Sequence, residues 1–341
     1  MIHAAKFYYI LNKKETFYLL NKYKENSLNI VLEKISNQFK GITAWISDNI
    51  DNMLKYSPNS IDKIFVNISV DFILLLEKAD ILESDFSKVS DILSKFSFEL
   101  LGEYDYNLLT LTKLEYRYDA LISDEDKKII FELCKKTFKK NGHYNKTTEF
   151  STTEYFQAKP ISATLYDKEK ERVDKHQQVK PYEKGRLRYE VRLFSRHFSY
   201  MKYSKKWKVE RDLKNYFKED MFKRYMEKYF NKFLFLENYH TYESAVNIIK
   251  YSGYRDATRK SLISFLDYVN KYGIENAKKR YKPNTYKNHI DKLKILNIAP
   301  LLVSKAEIAP RDYIENPLSF LKKYATSIYI PATKMDLYSL I

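Results

Sequence analysis

Apolar and polar residues alternate with a period of two through Ile64-Phe65-Val66-Asn67-Ile68-Ser69-Val70, which predicts a strand. A helix is expected from Phe72 to Lys78, and Ser84-Asp85-Phe86-Ser87 offers N-cap residues for another running to Leu101. After a turn-like Gly102–Asn107 comes a second strand, Leu109 to Tyr118. Ser123-Asp124-Glu125-Asp126 then caps a helix through Lys139 that Gly142 ends. Two more strands are expected at Ile161–Lys168 and Arg186–Phe194. From Trp207 onward the period becomes helical. Trp207, Leu213, Tyr216, Phe217, Tyr225, Met226, Tyr229, Phe230 and Phe233 form an aromatic stripe whose spacing marks it as core. The pattern predicts an α+β fold in two parts: an N-terminal domain, 1–208, with a central antiparallel sheet covered by helices on one face, and an all-helical domain, 209–341.

Within the second part, Lys260–Tyr272 reads as a helix ended at Gly273, Ile274–Tyr281 as a second, and Lys282-Pro283-Asn284 as a turn. Asn284 can cap a third, Thr285–Leu296, with Ile290, Leu293 and Leu296 inward and Lys287, Lys292 and Lys294 outward. Two short helices, a tight turn and a basic second helix have the form of a helix-turn-helix, whose lysines would meet phosphates. A helical hairpin with a soluble face fits the same pattern.

Splitting the strands by their two-residue period gives each one greasy side and one polar side. The polar sides carry Lys113, Glu115, Arg117 and Asp119; Ser162, Thr164, Tyr166 and Lys168; and Arg186, Arg188, Glu190 and Arg192. A solvated antiparallel sheet alternates in this way too. Concentrated opposite charge in Arg188-x-Glu190-x-Arg192, with Tyr166 and Lys168 on the same side, points instead to chemistry.

Charge narrows the chemistry. The 341 residues carry 60 Lys and Arg against 44 Asp and Glu, a net +16 that suits a polyanion. Residues 1–110 are net −3, whereas 159–214 are net +9 and 271–294 net +6, so two segments hold nearly all the excess. Six glycines supply neither GxGxxG nor GxxxxGK[ST], which excludes the usual phosphate-cradling nucleotide sites. One cysteine, Cys134, excludes disulfide frameworks and suits a reducing cytoplasm. Without a long apolar run or a signal-peptide pattern at MIHAAKFYYILNKKE, a cytoplasmic protein with no membrane partner is expected.

A tyrosine hydroxyl becomes a nucleophile when cations stabilise its phenolate, and a phosphodiester needs positive charge on its non-bridging oxygens. Carboxylates such as Glu115 and Glu190 can hold Mg²⁺ or Mn²⁺. Tyrosine, carboxylates, Arg and Lys together form a kit for breaking a DNA strand through a phosphotyrosine.

At these residues the sequence resembles the gene II/gene X replication-initiator family of filamentous phages and the related initiators of rolling-circle plasmids. The likeness is collinear over most of 60–300. It runs through Ile64–Val70, Thr112–Asp119 centred on Glu115, Ala163-Thr164-Leu165-Tyr166-Asp167-Lys168 and Gly185-Arg186-Leu187-Arg188-Tyr189-Glu190-Val191-Arg192-Leu193. It continues through Ala257-Thr258-Arg259, Tyr272-Gly273-Ile274, Thr285-Tyr286-Lys287 and Leu296-Asn297-Ile298. The resemblance implies an HUH-endonuclease-like fold and a site-specific nickase. Such an enzyme links its tyrosine to a 5′-phosphate at an origin, leaves a 3′-OH to prime rolling-circle replication and later rejoins the displaced strand. It implies Tyr166 as nucleophile with Lys168 and Arg188 beside it, Glu115 and Glu190 as metal ligands with Asp80 a weaker choice, and Mg²⁺ or Mn²⁺ as cofactor.

Arg186, Arg192, Lys205, Lys206, Lys287 and Lys292 would contact DNA, with Lys208 alongside. Origin DNA and host helicase and polymerase would be the partners. Tyr155 and Tyr182 are candidates for a second tyrosine. The chain departs from related endonucleases in having no His-x-His among His3, His143, His176, His197, His240 and His289, which are expected as surface or core groups. A conjugative relaxase and a non-enzymatic DNA-binding regulator are the alternatives.

Overall fold

The computed structural model describes residues 1–56, 62–137, 140–141, 144–150, 153–205 and 208–321. Gly142, His143, Lys206 and Trp207 lie outside the described residues. The strands are β1 (Ile2–Asn12), β2 (Ile42–Trp45), β3 (Lys63–Asp71), β4 (Thr110–Leu121), β5 (Lys140–Asn141), β6 (Tyr144–Phe150), β7 (Thr153–Ala158), β8 (Ile161–Asp167), β9 (Arg186–Phe194), β10 (Tyr239–His240) and β11 (Tyr313–Ile314). The helices begin with α1 (Lys13–Tyr23), α2 (Leu28–Ser36), α3 (Asp48–Tyr56), α4 (Phe72–Leu76), α5 (Phe86–Leu101), α6 (Asp124–Lys135), α7 (Lys168–Asp174) and α8 (Ser195–Tyr203). They continue with α9 (Leu213–Tyr216), α10 (Glu219–Leu234), α11 (Tyr242–Lys250), α12 (Asp256–Tyr272), α13 (Ile274–Arg280), α14 (Pro283–Ile295) and α15 (Lys305–Ile308). The fold is α+β with an antiparallel sheet, and no helix among the described residues is long and apolar enough to cross a membrane.

Two compact units divide the chain. Unit 1 comprises Met1–Tyr118, Lys159–Ser162 and Glu190–Phe222, and unit 2 comprises Asp119–Ala158, Ala163–Tyr189 and Lys223–Ile341. The division therefore falls inside β4, β8, β9 and α10.

In unit 1 the strand order is β2-β3-β1-β4, followed by the last residues of β9. Along β3 the even positions, Ile64, Val66, Ile68 and Val70, are buried and the odd ones face water or are half-buried, as period-two alternation requires. Side-chain caps start the helices behind this sheet: Asn12 accepts from the Glu15 amide at α1, Ser27 from the Ile30 amide at α2, and Asp71 from the Ile73 and Leu74 amides at α4. Gly41 is at φ +82°, and a Cβ there would meet Asp71 O and Leu75 N at 2.7 Å, so glycine is required for the chain to pass α4. Phe217 packs edge-on against Phe72 and at a tilt against Phe86, and Tyr116 donates to Tyr216 O at 2.6 Å. These contacts carry the first part of the aromatic stripe into the core.

In unit 2, β8 lies between β9 and β7, with β6 and β5 beyond. Every residue of β8 is buried, so its polar positions are not the solvated face that alternation alone allows. Tyr225, Met226, Tyr229, Phe230 and Phe233 of α10 are buried, with Phe230 edge-on to Tyr189 and Phe233 stacked on Phe156 at 4.1 Å. The C-terminal helices form as expected, apart from the short β10–β11 ladder, which makes this region not purely helical. Pro283 occupies the first turn of α14, where its missing N–H costs nothing, and Lys282 takes the cap position expected for Asn284. Ile290 and Leu293 are buried as expected.

Candidate active site

Of two charged clusters, one in each unit, the first contains Glu115 and Glu190 and the second Tyr166, Lys168 and Arg188.

In unit 1 the first cluster is built on a bulge. Ile2 pairs with Tyr116 but Ala4 pairs with Glu115, so two steps of β1 oppose one step of β4 and His3 is the extra residue. A bulge breaks alternation and re-aims a side chain, and here it turns the His3 ring to the side of the sheet that carries Glu115. His3 Nδ1 lies 3.2 Å from Glu115 Oε2 and 3.9 Å from Glu190 Oε2. Ligand atoms of His3, Glu115 and Glu190 all fall within 4.8 Å of one another. Lys113 pairs with Glu115, and Arg192 pairs with Glu190 and stands 3.5 Å from Glu115 Oε1. Burial pushes the Glu115 carboxyl up, but the His3 ring and the charges of Lys113 and Arg192 outweigh it and hold the group well below the usual carboxylate range. His3 Nδ1 is buried, yet no hydrogen-bond partner is aligned with it.

In unit 2 the second cluster surrounds Tyr166, which is 7% exposed. Arg188, 1% exposed, donates through Nε and Nη2 to both oxygens of Asp119 at 2.6 and 2.8 Å. Its guanidinium lies 5.9 Å from the centre of the Tyr166 ring, and the Lys168 ammonium lies 5.8 Å from it. Burial disfavours charge on Arg188, but Tyr166 and Asp119 outweigh it and raise its pKa.

Lys168 is not a strand residue, contrary to the expected strand 161–168. Asp167 ends β8 because its carboxylate accepts from the Glu169 and Lys170 amides at 3.1 and 3.2 Å, which starts α7 at Lys168. The Lys168 ammonium bonds Glu171 at 2.7 Å and stands 3.8 Å from Glu183. Burial, with Arg188 nearby, lowers its pKa despite Glu171. Burial pushes Glu171 up, but Lys168 and Lys175 bring it down to about 2. Gly185, at φ +64°, makes the expected turn into β9, and its amide donates to Glu169 at 2.9 Å.

The remaining predicted residues are spread along the chain. Arg186 is half-buried at the start of β9, and Arg192 is engaged by Glu190 and Glu115. Lys205 and Lys287 are exposed, whereas Lys292 is half-buried with its ammonium 5.9 Å from the Tyr254 ring. Asp80 is exposed and stands 3.9 Å from Arg117, apart from the ligand cluster. A cavity of about 380 Å³ in unit 1, lined in part by Tyr106, Lys202, Tyr203 and Arg211, contains none of the residues predicted for catalysis or metal binding.

His3 is the site residue that sequence reasoning missed. No His-x-His spacing flags it, and the bulge that aims it depends on pairing with a strand more than a hundred residues away. No protein-family model matches the sequence, and no curated protein matches it at a significant level.

Proposed function

We propose that this chain is a metal-dependent DNA nickase that initiates rolling-circle replication, with an HUH-endonuclease-like fold around its sheet. The observation that carries the reading is the convergence of His3, Glu115 and Glu190, from three strands, around a buried imidazole nitrogen with no aligned hydrogen-bond partner. One imidazole and two carboxylates suit a divalent cation of the Mn²⁺ or Mg²⁺ type, and the imidazole favours Mn²⁺. These three residues would hold the ion, which when bound supplies positive charge to a non-bridging phosphate oxygen.

Tyr166 takes the nucleophile's part on the strength of the Tyr-Asp-Lys and Arg-Tyr-Glu-x-Arg-Leu resemblance. Its phenolic oxygen forms a bond to phosphorus as the bond from phosphorus to the 3′-oxygen breaks. The phenol's proton leaves to solvent, and the departing 3′-oxygen takes one up. Rejoining is the reverse exchange, so bond energy is kept in the phosphotyrosine and no ATP is consumed. Arg188 and Lys168, each about 6 Å from the Tyr166 ring, offset the phenolate's charge. The origin, with host helicase and polymerase, would be the working partner, and a relaxase would use the same chemistry on another substrate.

Lys113 and Arg192 already pair with the two carboxylates, which favours a second reading, a non-enzymatic DNA-binding regulator whose ion pairs serve only the fold. A nicking assay separates the two readings. Wild type and Tyr166→Phe are mixed with supercoiled plasmid carrying the DNA that flanks this gene, in Mn²⁺, then treated with SDS and protease. Open circles with protein on a 5′ end for wild type and none for the variant are expected. Equal nicking by both moves the nucleophile elsewhere, and tight binding without nicking supports the regulator.

A further inference from the structure

The cavity of about 380 Å³ in unit 1 has the size of a small-molecule site, for which about 300–1,000 Å³ is usual. Tyr106 and Thr110 line it from the start of β4 and the turn before it, Ser199, Lys202 and Tyr203 from α8, and Arg211 from the segment leading into α9. Thr110 stands five residues along β4 from Glu115, about 17 Å at about 3.3 Å per residue, so the cavity is separate from the His3 cluster.

Arg211 gives the cavity its chemistry. Half-buried, it donates through Nε to Leu111 O and through Nη2 to Ser195 Oγ, the latter at 2.7 Å. Its guanidinium lies 5.8 Å from the Phe198 ring, and among the described residues no carboxylate comes within ion-pair distance of it. Burial lowers its pKa, opposed only by the tyrosines Tyr8, Tyr216 and Tyr203. The phenol of Tyr216 feels the Arg211 charge, and its hydroxyl is buried with no hydrogen-bond partner. A half-buried cation that no anion of the chain answers favours an anionic ligand, and the guanidinium fork matches a phosphate.

The groups around Arg211 suit the rest of such a ligand. Lys202 is taken up by Glu210 at 3.1 Å. Asp212 accepts from the Tyr106 hydroxyl and the Lys214 amide through Oδ1, at 3.2 and 3.0 Å, which leaves Oδ2 as an acceptor for the hydroxyls of a sugar. Tyr203, 79% exposed, offers a ring face to a flat base. Glu210 and Asp212 also line the cavity, and beside one unanswered cation they repel further phosphates. A polyphosphate or a strand of nucleic acid is therefore disfavoured, and one phosphate with one sugar and one base fits.

We propose that this cavity binds a ribonucleoside monophosphate, its phosphate on Arg211, its ribose hydroxyls on Asp212 and its base against Tyr203. The inference goes beyond the nickase reading and does not depend on it.

The test titrates the full chain with AMP, GMP, CMP and UMP in turn by isothermal titration calorimetry, in EDTA. At least one should bind one to one. Arg211→Met should weaken that binding by at least about tenfold, and Tyr203→Ala by about five- to hundredfold. The 2′-deoxy form of the same nucleotide should bind about tenfold less tightly. Arg211→Met also removes bonds to Leu111 and Ser195, so the exposed Tyr203→Ala, with the parent's thermal midpoint, is the variant that reads binding apart from folding. No binding of any of the four at millimolar concentration overturns the proposal, as does a deoxynucleotide that binds equally well. Inorganic phosphate binding as tightly as the nucleotide reduces the cavity to an anion site and overturns it too. Nucleotide binding unchanged in both variants places the ligand elsewhere, and oligothymidylate that displaces the nucleotide gives the cavity to a strand; each sinks the proposal. The nicking assay bears on none of these outcomes, so the two readings fail separately.

Discussion

The two clusters both join carboxylates to Lys and Arg, but one is centred on a tyrosine and the other on a histidine. They differ in how well the bonds of their members are aligned. Around Tyr166, Arg188 is matched by two aligned bonds to Asp119, and Lys168 by Glu171 with Glu183 close by. Around His3, charges crowd together, yet the imidazole nitrogen that faces both carboxylates has no aligned partner. A buried pair in good geometry fixes structure, and removing one member leaves the other uncompensated. A buried donor or acceptor left without alignment marks a place where a ligand can complete the set. The contrast leaves the cluster around Tyr166 closed by its own pairs, whereas the cluster around His3 groups three side chains of the kind a proposed ion would use.

The largest expected effect breaks the closed cluster. Arg188→Met should destabilise the protein by about 3–5 kcal/mol in urea unfolding, because Asp119 would keep a largely buried charge without its partner. The double variant with Asp119→Asn should recover much of that loss.

The open cluster should respond to metal. Mn²⁺ at a hundred times its dissociation constant should stabilise the wild type by about 2.7 kcal/mol, and His3→Ala should lose most of this in thermal unfolding. Equal stabilisation of both proteins would place the ion elsewhere.

Acid sharpens the comparison by a smaller amount. Glu171 is depressed to about 2 from an ordinary 4.5, so its contribution is complete above the ordinary value and is lost as pH falls toward about 2. Wild type should therefore exceed Glu171→Gln in thermal midpoint near neutral pH and converge with it at low pH. The difference should be under about 1 kcal/mol, since Glu171 is partly exposed and its pairs are screened.

The smallest effect lies outside both clusters. Lys287 is exposed on α14, and Lys287→Ala should leave stability within about 0.5 kcal/mol. It should lower the slope of log K against log salt for DNA by about 1 if that helix meets phosphates.

Much of the local architecture was legible because it depends on neighbours in sequence. Alternation located β3, β4, β8 and β9 to within a few residues, and the aromatic stripe from Leu213 to Phe233 is buried as its spacing required. Cap chemistry was less secure. Asp167 could be read as a strand residue or as a helix cap, and its bonds to two amides decided for the cap. The N-terminal strand is not legible because Ile2–Asn12 alternates poorly: bulges at His3 and near Thr112 shift its register, and five of its eleven residues are of intermediate burial.

The sequence by itself determined the strands β3, β4, β8 and β9 and the helices α5, α6 and α12–α14 to within a few residues, and that basic charge concentrates in two segments, since these follow from periodicity and composition. Tertiary structure alone decided that β8 is buried on both sides and that His3 joins Glu115 and Glu190. Each of these depends on register between strands far apart in the chain, and a one-residue bulge in that register changes which side chains meet.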